Sequence, residues 1–282
     1  MITRRFGYLE PRRGVVPDEA SQLQENGHTV LEGVFDEGDV HALRAAVDEV
    51  FDTAPADGRP ATLKNPDQDM HRYAMLNRSA VCQRAVAHPR VLETIEPLLG
   101  EDCHVIANTA WRNPPGLDES GRGDMWHIDA GPHVPRAPDV PWPDAIPYPV
   151  FAIGCHILLE DSRIEDGPTG VIPGSHKSGT HPPFDRLFDE DLTYGGQGCA
   201  PLLGRAGDVA LFVSDVWHRR MPTLEGERGR YFLQVHYGRR DIAQRLHTTA
   251  ELHQASDEAI ERADDDRART LIGMHPPGFY DG

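Results

Sequence analysis

Between residues 102 and 240 the chain never stays apolar for long before proline or glycine interrupts it. "CHVIANTAW" (103–111), "PVFAIGCHILL" (ending at Leu159), "GVIPG" (170–174), "GDVALFVSDVW" (207–217) and "RYFLQVHY" (230–237) each have the length and the β-branched or aromatic content of a strand. Short apolar runs between turn signals predict an antiparallel sandwich or barrel. The 27 glycines and 24 prolines supply the turns that such an architecture needs.

Ahead of this region the pattern is helical. "ENGHTVLEGVF" (25–35) offers a turn at Asn26-Gly27 and then a short apolar run. "DEGDVHALRAAVDEVFDTA" (36–54) predicts a helix capped by Asp36, with Val40, Leu43, Val47, Val50 and Phe51 on one face. A second helical stretch covers 79–99 and breaks near His88-Pro89. Residues 58–79 show no period and read as a loop or lid. Residues 132–149 are so rich in proline that they read as an extended, ordered insertion. The tail carries one charged helix, "SDEAIERADDDRARTLI", expected on the outside. The expectation is a single domain over 1–282, with a helical layer at 17–99, a β core at 102–240 and a tail at 241–282.

The formal charge of −17 comes without a basic run, which argues against nucleic acid and against an anionic membrane surface as partners. A small-molecule substrate fits better, handled by a monomer or homodimer. Cys82, Cys103, Cys155 and Cys199 have no CxxC spacing and read as reduced, mostly buried thiols of a cytoplasmic protein. The opening "MITRRFGYLEPRRG" lacks the apolar stretch of a secretory signal, and no apolar run approaches 18 residues.

"DMWHIDAG" (124–131) places His127 and Asp129 two apart. In extended chain such a pair shares a face, so both can reach one metal ion, or a surface histidine can simply lie near an aspartate. A facial triad on Fe(II) needs one further histidine and leaves three positions open. The absence of a cysteine ligand speaks against structural zinc. His218, in "SDVWHRRMP", ends an apolar strand and is followed by arginines that do not suit a core. His236 is the rival third ligand, and otherwise a hydrogen-bonded core histidine. Arg230 opens a strand in which Phe232, Gln234 and His236 share its face. An arginine pointing inward needs an anion, either a protein carboxylate or the far end of a dicarboxylate that chelates the metal.

Four motifs in order, "WHIDAG" (126–131), "DGPTGVIPGSHKSG" (166–179), "GDVALFVSDVWH" (207–218) and "RYFLQVHY" (230–237), together resemble the phytanoyl-CoA dioxygenase family of Fe(II)/2-oxoglutarate oxygenases. The resemblance spans about residues 20–240. It implies a mainly β fold, a double-stranded β-helix (jelly roll, cupin-like) with an N-terminal helical layer and a C-terminal helix. It implies Fe(II) on His127, Asp129 and His218, and 2-oxoglutarate held by Arg230. His156 stands where relatives often carry an aromatic near the cosubstrate, so it contacts cosubstrate or substrate or fills the core. Asn108 and Thr109 fall where a relative's strand touches the cosubstrate. His176, after a Gly-Ser turn, reads as structural.

The activity so implied is O2-dependent oxidation of an unactivated C–H in a small metabolite or natural-product intermediate, with release of succinate and CO2. Halogenating relatives lack the carboxylate that Asp129 retains, which favours hydroxylation or a related desaturation, cyclisation or epimerisation. The alternatives are a non-catalytic metal-binding jelly-roll protein and a zinc-dependent hydrolase. Lys64, His71, Arg112, Trp126 and Trp142 are candidate substrate contacts, with 58–79 and 132–149 flanking the mouth of the site.

Overall fold

The computed structural model describes residues 4–5, 8–9, 16–53, 70–116, 121–129, 131–244 and 255–274. Lys64 and the first part of the 58–79 segment lie outside the described residues. In chain order the elements are β1 (Arg4–Arg5), β2 (Tyr8–Leu9), α1 (Asp18–Asn26), β3 (His28–Leu31), α2 (Glu37–Thr53), β4 (His71–Tyr73), α3 (Met75–Arg78), α4 (Ala80–Ala85) and α5 (Pro89–Leu99). There follow β5 (His104–Asn113), β6 (Ala152–Leu158), β7 (Thr169–Val171), β8 (Ala200–Pro201), β9 (Val209–Val213), β10 (His218–Arg220), β11 (Arg230–Gly238), α6 (Asp257–Arg262) and α7 (Asp266–Leu271).

Two antiparallel sheets form the body. The larger has the order β3-β9-β6-β11-β5-β4 and the smaller β10-β7-β8. They face each other as a jelly roll without closing into a barrel, and Val171, Leu202, Ala210, Phe212 and Val216 pack between them. Strand alternation gives the large sheet two characters. On β11, Tyr231, Leu233, Val235 and Tyr237 join the main apolar core with Val47, Val50 and Ile95 of the helical layer. Arg230, Phe232, Gln234 and His236 take the opposite face, toward the small sheet. The side chains of β5, β6 and β9 alternate in register with them, so Thr109 lies opposite Gln234, which lies opposite His156, which lies opposite Ala210.

The helical layer follows its local signals. The Asp36 carboxylate accepts from the backbone N–H of Asp39 at 2.8 Å, satisfying one of the free donors at the start of α2. The expected stripe of α2 is buried. The break at His88-Pro89 separates α4 from α5, with proline at the first helical position, where its missing N–H costs nothing. α1 ends at Gly27, whose φ of +82° favours glycine and whose missing Cβ leaves room for the ring of His176.

Four expectations are corrected. The charged tail forms two short helices, broken at Ala263–Asp265, and it buries Ala259, Leu271 and Ile272 in the main core. The ion pair of Arg267 with the buried Glu96, 2.8 Å, ties it to α5. Residues 70–79 are not irregular: β4 pairs with β5, and α3 follows. "GDVALFVSDVW" is not one strand: β9 stops at Val213 and a turn intervenes, so His218 opens β10 rather than ending the strand before it. The arginines after His218 are interior: Arg219 is 2% and Arg220 8% exposed.

Leu233, fully buried at the centre of β11, packs where sheet and helices meet. Leu233→Ala is expected to cost about 2–5 kcal/mol, read from the denaturant midpoint. A loss under about 0.5 kcal/mol would show that this interface is not the stabilising core.

Candidate metal centre and the recess beside it

The two candidate histidine ligands are 91 residues apart (218 − 127) and are brought together by backbone. His127 and His218 form an isolated antiparallel bridge, each N–H donating to the other's carbonyl at 2.9 Å. Their rings lie 4.3 Å apart, centroid to centroid. Asp129 is fixed by its own N–H, which donates to Ser214 O at 3.2 Å in the turn before His218. His127 and His218 are oriented alike. Each Nδ1 faces the carbonyl oxygen two residues earlier, Met125 at 2.8 Å and Val216 at 2.9 Å. With Nδ1 as donor, each Nε2 keeps its lone pair for a metal.

The ligand atoms of His127, Asp129 and His218 lie within 4.8 Å of one another. Asp129 Oδ1 is 3.4 Å from His218 Nε2 and 3.9 Å from His127 Nε2. His236 approaches from β11 and places Nε2 2.7 Å from the other oxygen, Oδ2. It is thus a hydrogen-bonded histidine outside the three-residue group. The sequence offered both of its possible roles but not Asp129 as its partner. Burial raises the Asp129 carboxyl pKa, but the imidazoles of His218 and His236 outweigh it and hold the group well below its ordinary range. At His218 burial lowers the pKa, and the neighbouring Asp129 charge more than reverses this. At His127 burial dominates, aided by His218, and favours the neutral ring. Two imidazole nitrogens and one ionised carboxylate facing one point can hold a divalent cation of the first transition row.

Beside this group lies a recess lined by His156, Leu158, Thr169, Leu202, Arg230 and Phe232. Among the described residues no carboxylate pairs with Arg230, and its Nε is buried without a hydrogen-bond partner. Its pKa is lowered to about 9, first by burial and then by the charge of Arg220. An uncompensated cation in such a place is a ready anion site. His156 is 7% exposed and packs on Phe232, ring centroids 4.4 Å apart, and its Nε2 also lacks a partner. Burial, then the charge of Arg230, pushes its pKa well below the ordinary value, so the ring is neutral.

The other expected contacts divide by face. Thr109 and His71 lie toward the small sheet, His71 with its ring centroid 5.0 Å from that of Trp111. Asn108 and Arg112 alternate to the opposite face, which corrects their assignment to cosubstrate and substrate. Asn108 accepts from the N–H of Leu76 and donates to Gln234 O. Arg112 lies over the ring of Phe51 and pairs with Asp48 of α2 at 2.7 Å. Trp126 is likewise a packing residue, 1% exposed, with Ile172, Leu192 and Trp217, and its Nε1 donates to Asp189 O. Trp142 packs edge-on against Tyr148 within the proline-rich insertion. His176 is buried and its Nε2 lies 3.1 Å from Gln24 O, in keeping with a structural role.

Three features had no sequence signal. The Trp111 Nε1 donates to the Gln234 side chain at 2.8 Å, and its ring stacks with Phe232. Asp215 gathers the insertion: His133 Nδ1 lies 2.7 Å and Tyr148 Oη 2.9 Å from its carboxylate. Gly131, at φ +118°, leaves the space that this carboxylate fills. Arg220, finally, is buried with free donors.

The family model described as phytanoyl-CoA dioxygenase (PhyH) matches residues 23–221. The chain is 26% identical over 163 residues to an ectoine dioxygenase of Bordetella bronchiseptica, covering 57% of this chain and 49% of that protein. It is 25% identical over 166 residues to the ectoine dioxygenase of Stutzerimonas stutzeri, covering 58% and 51%. The matched region thus spans about half the length of these curated relatives. Among solved structures, EctD from S. alaskensis in its apoform superposes with a TM-score of 0.63 at 21% identity, covering 86% of this chain and 84% of that one. The epimerase SnoN in complex with Fe3+, alpha-ketoglutarate and nogalamycin RO superposes with a TM-score of 0.60 at 18% identity, covering 85% and 93%. With the family model matched over residues 23–221, most of the chain, the chain belongs to the phytanoyl-CoA dioxygenase family.

Proposed function

We propose that the protein is an Fe(II)- and 2-oxoglutarate-dependent dioxygenase that oxidises a C–H of a small molecule, with His127, Asp129 and His218 as the metal ligands. The observation that carries this reading is the pairing of two features: three ligand atoms within 4.8 Å of one another, and a half-buried guanidinium at Arg230 whose Nε is buried without a partner and which meets no carboxylate among the described residues. Neither a zinc hydrolase nor a metal-storing module needs the second. Among relatives of the same fold, EctD from S. alaskensis is described with 2-oxoglutarate and 5-hydroxyectoine. HygX from Streptomyces hygroscopicus is described with nickel and 2-oxoglutarate bound.

When bound, ferrous iron would supply the activation of O2, which is the oxidant, with the keto acid giving two electrons as it is converted to succinate and CO2. The chain's own part is placement. The Nδ1 hydrogen bonds of His127 and His218 present the Nε2 lone pairs. His236 aligns the Asp129 carboxylate by occupying the oxygen turned away from the other two. Arg230 would take the far carboxylate of 2-oxoglutarate. Neutral His156 would offer a hydrogen bond in the same recess, without a charge to compete with Arg230. Thr109, Trp111 and His71 would form the wall along which substrate lies. The helical layer, the large sheet and the tail share one apolar cluster, and Val171 of the small sheet packs on Ala210 and Phe212 of the large one, which supports reading 1–282 as one domain.

Succinate release from 2-oxoglutarate with Fe(II) and O2, absent with Zn(II), is the direct test. His127→Ala is expected to abolish that release, and retention of wild-type rates removes His127 from the ligand set. Arg230→Gln is expected to raise the KM for 2-oxoglutarate by about 10- to 100-fold, as befits a lost charged hydrogen-bond pair, with the iron requirement unchanged. An unmoved KM takes Arg230 out of the site. His236→Phe is expected to weaken Fe(II) or Co(II) binding by about 10- to 100-fold, measured by titration with a competing chelator. Complete loss of binding would instead make His236 a ligand.

A further inference from the structure

The alternation of β10 sends His218 and Arg220 between the sheets, opposite Val171 and Thr169 of β7, while Arg219 turns away to lie over the Trp126 ring. Arg220 is 8% exposed, and its Nε and one terminal nitrogen are buried with no hydrogen-bond partner. Thr169, its cross-strand neighbour, lines the same recess as Arg230. The two guanidinia therefore come from opposite sheets toward one space, Arg220 from the small sheet and Arg230 from the large.

Like charges brought together out of water repel strongly unless an anion lies between them. The acids around the recess are already engaged. Asp166 accepts from Arg163 and from the Arg228 backbone, Asp161 accepts from Ala206 N, and Glu160 faces Arg44. Asp124, whose N–H donates to Arg220 O, opposes the charge of Arg230 but forms no ion pair with either arginine. The pair is thus arranged for an anion that the chain does not itself supply.

We propose that Arg220 and Arg230 form a clamp, one arm from each sheet, that grips the far carboxylate of a dicarboxylate keto acid and makes Arg220 a specificity-determining residue for the cosubstrate. This rests on the reading of the site as a keto-acid oxygenase. A carboxylate has two oxygens and about four lone-pair directions, enough for donors from both sides. A keto acid with a neutral far end leaves both cations uncompensated and is rejected.

The test compares two keto acids of equal chain length, 2-oxoglutarate and 2-oxovalerate, which lacks the far carboxylate. Each is titrated calorimetrically into the full chain loaded with Ni(II), and thermal melts confirm that each variant is folded. Wild type is expected to prefer 2-oxoglutarate strongly. Arg220→Gln is expected to cut that preference by about 10- to 100-fold while leaving 2-oxovalerate affinity unchanged. Should Arg220→Gln fail to fold, Arg220→Lys keeps the charge without the planar fork and is expected to lose several-fold of the preference. If Arg220→Gln or Arg220→Lys keeps the full preference while Arg230→Gln loses it, the clamp is overturned and the oxygenase reading stands. Equal weakening of both acids also overturns the clamp. If wild type binds neither acid, both are overturned.

Discussion

Everything in the site depends on two backbone hydrogen bonds between His127 and His218, each 2.9 Å. They join a segment that lies outside the two sheets to the first residue of β10, and so convert a large sequence separation into adjacent rings. Side chains alone would not hold such a pair in place, because long polar side chains give up rotamer entropy at every contact. Here the backbone fixes position and the Nδ1 hydrogen bonds fix rotation. The only freedom left at the centre belongs to the carboxylate of Asp129, and His236 removes that as well.

β11 shows how one strand serves two needs. Its odd-numbered residues are apolar or aromatic and bind the sheet to the helices, while its even-numbered residues carry a guanidinium, a phenyl ring, an amide and an imidazole into the interior. The polar face is sustained because each group finds company: Gln234 with Trp111, His236 with Asp129, and Phe232 between Trp111 and His156. Arg230 lies over the Phe232 ring at 5.4 Å but has no carboxylate among the described residues, and a cation left with only a ring beside it points to chemistry rather than to stability.

Much of this was legible from the residues. The strand runs, the capped helix α2, the break at His88-Pro89 and the shared face of Arg230, Phe232, Gln234 and His236 all follow from local pattern. The metal group was visible as a spacing, and its third member was chosen only against a rival. What escaped was governed by partners far away in sequence. Asn108 was placed at the cosubstrate by the family resemblance and Arg112 stood among the candidate substrate contacts, but the period of two along β5 turned both to the helices. Arg219 and Arg220 looked like surface because arginine seldom enters a core. Arg219 enters by donating to the carbonyls of Arg220, Phe188 and Arg122 and by covering Trp126. No local pattern announces such a set of acceptors. The tail helix broke because its run of three aspartates lets Asp265 cap a new helix instead of continuing the old one.

The fastening of the proline-rich insertion to Asp215 carries a consequence for how such a chain can change. Asp215 shares its tight turn with Ser214, which holds Asp129, and with Val216, which orients His218. The roots of the insertion are therefore bolted to the same few atoms that set the coordination geometry. Its outer stretch around Val140 and Ile146 is open to solvent. Natural or laboratory variation can rewrite that rim freely, whereas grafting a foreign segment in place of His133 or Tyr148 would disturb the centre it was meant only to border.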